Sequence, residues 1–443
     1  MYDLIVIGAG SGGLSAAIKS KKMGKKVLLI EKARIGGTCV NVGCVPKKIT
    51  YNLSNLLFTL KFSQFYGISI SEYKIDFEKF VKKRNKYIER LNNIYKEKIK
   101  DIEYVEGHAI VENDQVIVNE KCYTYKNLLL ATGSKSIVPE IPGKEYLFNS
   151  DDFFELKERP DKVVIIGSGY IGIEMSFMFV SLGSEVSIIC RKNAVLSKFD
   201  KMISENVILY MKEAGIRIFF DTEIERIEKI DKKYKLTFKN KEENFVLNDI
   251  DFPLCAIGRD SDLSFIKSKI EKNGNFLKVN ENFKTSIKNV YAIGDIINNY
   301  MLTPVAIFCG RSLVDHIFES KYKNIEQELR IFECVPSVVF SHPPVATVGL
   351  SEEEARRKYS EKVKIYKSRF VNLYFSMSDT KEYSEYKIVV VEDKVIGIHI
   401  CGLGSDEIIQ GFAVAIKNGL NYNDLKNCIG VHPTASEELL FTE

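Results

Sequence analysis

Several features are missing from this sequence, and each absence removes a class of protein. Glycine (28) and proline (10) are too few among 443 residues for a fibrous or low-complexity chain, and 45% apolar with 28% charged residues is a globular composition. No apolar run approaches the roughly 20 residues of a membrane span, so no membrane is expected as a partner. No charge of one sign dominates: a dispersed net +4 is too mild for nucleic acid and suits at most a small anionic substrate. The nine cysteines include one close pair, Cys39 and Cys44, with no second pair at the spacing zinc requires, and no metal site is expected. The first apolar strand begins at Asp3, which leaves no stretch ahead of it that reads as a signal or transit peptide. Nine cysteines without a secretory signal fit a reducing, cytoplasmic compartment, where a disulfide is more often catalytic than structural.

What is present is one device used twice. "DLIVI" (3–7) closes in "GAGSGG", runs into a helix ending at Gly24, and is followed by the buried strand "KVLLIE". The same order returns at 163–191, "VVIIGSGYIGIEMSFMFVSLGSEVSIICR". Gly8, Gly10 and Gly13 in the first unit, and Gly167, Gly169 and Gly172 in the second, have the spacing that seats a pyrophosphate on a helix N-terminus. The residue ending the second strand of each unit separates the two ligands. Glu31 suits ribose hydroxyls, whereas Arg191, with Lys192 beside it, would attract the 2′-phosphate of NADPH.

Between the two units, 77–99 reads as a long amphipathic helix, and 104–134 alternates like a small sheet ending in an apolar strand. Residues 217–255 read mostly as strands, and "NVYAIGD" (289–295) as a buried strand. After about residue 329 the pattern becomes that of a separate α+β domain with a hairpin turn at "EDK". The expected fold class is α/β, with two Rossmann-like dinucleotide-binding domains and a C-terminal α+β domain. No low-complexity linker separates them, so close packing is expected.

In a regular helix, Cys39 and Cys44 would point about 140° apart with a rise of about 7.5 Å, beyond the roughly 7 Å limit of a disulfide. Pro46 also disfavours helical geometry at Val45. If the pair bonds, it does so across a distorted helix start, in a small ring suited to reversible opening. The helix N-terminus would favour a thiolate there.

"GGTCVNVGCVPKK", "LLLATGS", "GSGYIGIE", "NVYAIGD", "LTPVAIFCGR", "VVFSHPPVATVGL" and "GVHPTASEE" resemble, in order and over essentially the whole chain, the pyridine nucleotide-disulfide oxidoreductases, most closely their glutathione-reductase branch. The resemblance implies a FAD-binding domain (1–136), an NADPH-binding domain (137–259), a central part completing the FAD domain (260–328) and a dimerisation domain (329–443). It implies FAD on the first fingerprint, surrounded by Gly8, Gly10, Ser11, Gly12, Gly13, Glu31, Thr38, Lys47, Ala109, Gly133, Asp295 and Thr303. It implies NADPH on the second, with Gly167, Gly169, Ile171, Gly172, Glu174 and Gly258, Tyr170 as a flap over the nicotinamide, and Arg191 and Lys192 at the 2′-phosphate.

The same resemblance assigns the chemistry. Cys44 faces the flavin, Cys39 attacks the substrate, and Lys47 lies near the flavin with Glu174 as its partner. His432, held by Glu437, is the acid–base residue and comes from the other subunit of a homodimer. Glutathione disulfide is the implied substrate, met by Ser11, Tyr95, Lys98, Arg311 and His432. A trypanothione-like disulfide, or a non-catalytic flavoprotein, is the alternative. Ser15 and Ile18 match neither the arginine-bearing pattern nor that of trypanothione reductases, and Ser197 stands where a second phosphate-binding arginine is frequent, with Lys198 beside it. Cysteines 122, 190, 255, 309, 334, 401 and 428 are expected in the apolar core, and His108, His316, His342 and His399 in packing or hydrogen-bonding roles.

Overall fold

The computed structural model describes residues 1–240, 243–379 and 381–443. It contains two compact units, one of residues 1–49, 78–137 and 258–332, the other of 50–77, 138–257 and 333–443. Among the described residues no helix is long and apolar enough to cross a membrane.

The first unit is built on a five-stranded parallel sheet. Strands β1 (Leu4–Ile7), β2 (Val27–Glu31) and β3 (Glu103–Glu106) run side by side, and Leu128–Leu130 and Val290–Ala292 extend the sheet beyond β1. β1 is buried on both faces, which is why "LIVI" carries no alternation. Helix α1 (Ser11–Lys22) follows β1 and stops as expected, with Gly24 in the left-handed region (φ +73°) and its N–H bonded back to Lys21. Two further helices carry the cysteines: α2 (Gly37–Asn41) and α3 (Cys44–Phe62). The long amphipathic helix is α4 (Phe77–Lys98), whose buried stripe includes Val81, Ile88 and, just past its end, Ile99.

The second unit repeats the device. Strands Lys162–Ile166 and Glu185–Ile189 pair in parallel, flanked by Phe252–Cys255 and Arg217–Phe219. Helix Tyr170–Ser181 links the first two, and its burial on nearly all sides explains a sequence that is apolar apart from a few positions, Glu174 and Ser176 among them. Residues 223–250 form a three-stranded antiparallel meander; the stretch read as strands over 217–255 includes 241 and 242, which lie outside the described residues. A five-stranded antiparallel sheet (337–401) packs Ile388, Ile398 and Ile400 against Ile409 and Ala413 of helix Ser405–Lys417. Each such fully buried aliphatic side chain contributes about 1.5–3 kcal/mol. The hairpin turn is Glu392–Asp393, both at positive φ (48° and 72°), and Lys394 already pairs with Val391. The turn is thus one residue shorter than "EDK", because two left-handed residues alone reverse the chain with the sheet's twist.

Candidate active site

Each fingerprint's glycines divide into two kinds. A Cβ on Gly8 would lie 2.3 Å from the Ala131 carbonyl oxygen, and one on Gly13 would lie 1.9 Å from that of Gly8, so these two permit close packing of turn, helix and sheet. Gly10 has only the Gly37 Cα, 4.0 Å away. It caps α1 without a side-chain hydrogen bond, so the first-turn N–H groups receive none from the cap. The second unit matches: a Cβ on Gly167 or Gly172 would clash at 2.4 Å or 2.1 Å, while one on Gly169 would meet nothing within 4 Å. Both sites therefore have the form of an anion cradle at a helix N-terminus.

The charges around the cradles differ as expected. Glu31 accepts the Ala9 N–H at 2.7 Å and the Ala33 N–H at 2.9 Å, which places its carboxylate at the fingerprint turn. Arg191, Lys192, Ser197 and Lys198 are exposed beyond strand Glu185–Ile189. Arg191 and Lys192 make no ion pair among the described residues. Their loop is tied to the fingerprint by the Leu196 N–H on the Ser168 carbonyl (2.9 Å) and the Ser168 hydroxyl on the Ala194 carbonyl (3.2 Å). Tyr170 opens its helix and is 44% exposed, and Ile171 is half-buried beside it. Gly258, at φ +139°, belongs to the first unit rather than the second.

Cys39 lies in α2, and Cys44 is the first residue of α3. The helix breaks between them at Gly43, where a Cβ would sit 2.8 Å from the Thr38 carbonyl oxygen. Gly36 and Gly37 are left-handed (φ +100° and +62°), and a Cβ on Gly37 would lie 2.7 Å from the Gly10 Cα. Only glycine lets the cysteine loop rest on the fingerprint loop. Contrary to expectation, Val45 is helical: Pro46 lies in the first turn of α3, where no backbone donor is needed.

The thiols are unequal. Cys44 accepts a hydrogen bond from the Cys39 thiol, which holds its pKa down to about 6 against the pull of burial, with help from the Thr303 hydroxyl and the Lys47 charge. The Cys44 Sγ to Thr303 Oγ1 distance is 3.5 Å. Donating to Cys44 raises the Cys39 thiol well above the ordinary range, and burial adds to this; the Ser11 and Thr303 hydroxyls oppose it. Alkylation of Cys44 in the reduced protein should therefore rise with pH through a midpoint near 6 and then level off. Thr303→Val should move that midpoint up by about one unit; a wild-type midpoint in the ordinary thiol range would contradict the arrangement.

Elsewhere in the first unit, Asp295 accepts the Ser134 hydroxyl at 2.8 Å, and Arg259 donates to that hydroxyl (2.8 Å) and to the Ser134 carbonyl (2.8 Å). Sequence reasoning misses Ser134 and Arg259, although they stand at and beside the ends of the apolar stretches "LLLATGS" and "LCAIGR". Ala109 is buried and Thr38 is exposed; a Cβ on Gly12 would lie 3.2 Å from the Ala306 carbonyl oxygen, and one on Gly133 (φ +72°) would meet nothing within 4 Å. On α4, the Lys98 ammonium lies 5.4 Å from the centre of the Tyr95 ring. Arg311 is exposed on helix Thr303–Glu319, while Lys19 is paired with Asp315.

In the second unit Glu174, 4% exposed, accepts the Phe340 N–H at 3.1 Å. The His432 Nδ1 lies 3.0 Å and 3.2 Å from the two Glu437 oxygens. Glu437 is itself held by the Thr434 N–H (3.2 Å) in a capping box. The imidazole is 80% exposed while Glu437 is only 12% exposed, so a fixed carboxylate orients a ring whose Nε2 faces outward. His342 is buried against Tyr51 and bonded to Ser54 at 2.8 Å, and burial lowers its pKa to about 3. His316 and His399 are hydrogen-bonded, and His108 is exposed. Cys190, Cys255, Cys309 and Cys401 are buried as expected, but Cys334 is half-buried and Cys122 and Cys428 are exposed. Cys122 lies in a short strand exposed at three of its four positions, and the Cys428 thiol donates to the Asp424 carbonyl (3.3 Å).

Residues 2–310 match the family "Pyridine nucleotide-disulphide oxidoreductase", and 335–441 match its dimerisation domain. The glutathione reductase of Yarrowia lipolytica is 38% identical over 468 aligned positions, which span 99% of this chain and 98% of that protein. The glutathione reductase of Schizosaccharomyces pombe is 38% identical over 464, again 99% and 98%. With paired dinucleotide cradles of opposite charge and a thiol pair resting against the first, the chain belongs to the pyridine nucleotide-disulfide oxidoreductases.

Proposed function

We propose that the protein is a cytoplasmic, homodimeric glutathione-disulfide reductase using NADPH and FAD. The observation that carries this reading is the thiol pair: a low-pKa Cys44 beside Thr303 and Lys47, hydrogen-bonded to Cys39. Similarity over the full length to two glutathione reductases supports the substrate.

FAD fits the open first cradle, held by Gly8, Gly10, Ser11, Gly12 and Gly13, with Glu31 toward the ribose and Thr38, Lys47, Ala109, Gly133, Asp295 and Thr303 around the rest. NADPH fits the second, held by Gly167, Gly169, Ile171 and Gly172, with Arg191 and Lys192 at the 2′-phosphate and Tyr170 over the nicotinamide. When bound, FAD supplies the chemistry that links a two-electron hydride donor to a pair of thiols.

The remaining steps belong to the chain's own residues. Cys39 gives its proton to His432 as its sulfur attacks the substrate disulfide, forming a mixed disulfide and releasing one glutathione thiolate. His432 returns that proton to the leaving thiolate, and Glu437 steadies the imidazolium. The Cys44 thiolate then attacks the Cys39 sulfur; the Cys39–Cys44 bond closes and the second glutathione leaves. Two electrons pass from the thiol pair to the substrate. The exposure of His432 within its own chain supports its service to a second copy. Glutathione disulfide is anionic, and Arg311, Lys98 and Tyr95 offer cations and an aromatic wall for it, while Ser11 lies against Cys39; Lys19 is already neutralised by Asp315.

The test is steady-state turnover of glutathione, trypanothione and thioredoxin disulfides with NADPH and with NADH. Glutathione disulfide with NADPH should be fastest, and exclusive use of another disulfide would overturn the reading. Arg191→Glu should raise the KM for NADPH about 10- to 100-fold, since a charge-assisted bond becomes a repulsion, and leave that for NADH nearly unchanged. Equal losses with both would refute the phosphate assignment.

A further inference from the structure

Two polar residues, Arg84 and Asn92, interrupt the apolar stripe of α4. Ile88 and Ile99, 4% and 3% exposed, flank Asn92 at spacings that put all three on one helix face, with Tyr95 three residues on. An amide in such a stripe is costly unless it is hydrogen-bonded. Its partners lie in the cysteine loop: the Asn92 Nδ2 donates to the Ile35 carbonyl at 2.8 Å and to the Asn41 Oδ1 at 3.0 Å. Asn41, 5% exposed and set between the two cysteines, donates in turn to the carbonyls of Gly37 (2.9 Å), Ile35 (3.1 Å) and Arg34 (3.3 Å). These carbonyls belong to the turn that delivers Cys39, and α2, with five residues, is too short to hold itself.

We propose that Asn92 is a positioning residue that fixes the register between α4 and the Cys39 loop, so that a disulfide seated against Tyr95 and Lys98 presents its sulfur to Cys39. The substrate half of this statement rests on the functional reading above; the loop half does not. Asn92→Leu keeps the approximate shape and replaces the amide with an apolar side chain beside Ile88 and Ile99, so a purely packing role would leave the enzyme intact. With the clamp acting, the variant holoenzyme should lose about 10- to 100-fold in kcat/KM for glutathione disulfide, the scale of an ångström-sized misplacement, while NADPH bleaches its flavin at the wild-type rate. In the NADPH-reduced protein, Cys39 should be alkylated about fivefold faster, the factor of one lost hydrogen bond. Asn92→Gln, which keeps the donor, should recover most of both. Wild-type alkylation and kcat/KM in Asn92→Leu would overturn the proposal, as would a loss shared equally by flavin reduction. Asn92→Ala, which adds no bulk, takes its place if the leucine variant does not fold. Should wild-type protein ignore glutathione disulfide, the functional reading falls, and the alkylation rates alone decide the clamp.

Discussion

Replacing Cys39 by serine is expected to abolish disulfide turnover, a loss of at least about a thousandfold, while NADPH still bleaches the flavin. The alcohol of serine ionises far too weakly to attack a disulfide at neutral pH. Cys44 cannot stand in for it. Even if its thiolate were to attack the substrate, a hydroxyl in place of the Cys39 thiol could not resolve the mixed disulfide, and the enzyme would stop after one event. The serine hydroxyl can still donate to Cys44, so the low pKa of that thiol should largely survive. Sustained turnover in Cys39→Ser, measured as NADPH consumed per disulfide over many cycles, would remove the basis of the mechanism.

His432→Gln is expected to slow disulfide turnover about 10²- to 10⁴-fold without slowing flavin bleaching, because glutamine keeps the contact to Glu437 but carries no titrating proton. The decisive form of the experiment mixes the two variants. A dimer of one Cys39→Ser and one His432→Gln subunit contains one wild-type Cys39 and one wild-type His432, on different chains. If the histidine serves the neighbouring subunit, one of the two sites is whole, and activity should reappear on mixing and refolding. If it serves its own chain, both sites remain dead. The 80% exposure of His432 beside an almost buried Glu437 is the observation that predicts recovery.

Much of this was legible in the sequence because the relevant constraints are local. The third glycine of each fingerprint answers to the carbonyl of the first, five residues earlier, and Gly43 answers to Thr38 across the same short interval. Such demands must be met within a few residues and leave a fixed spacing. Pro46 misled for the same reason in reverse: the rule for the residue before proline is local, but its force depends on where the helix begins. The surface positions of Cys122, in a short strand, and Cys428, just past a five-residue helix, were invisible because hydrophobic type does not report whether another element covers a given position.

The amino-acid order alone therefore determined the two strand–turn–helix cradles, the acid at one and the cations at the other, and the thiol pair beside the first. Only the tertiary structure decided the partners: Thr303 against Cys44, Ser134 between Asp295 and Arg259, and Asn92 against Asn41. Those pairs are separated by 259, 161, 125 and 51 positions. Backbone geometry is enforced between neighbours in the chain, whereas a buried hydrogen bond requires only that its donor and acceptor meet, and the folding of the whole unit decides which ones do.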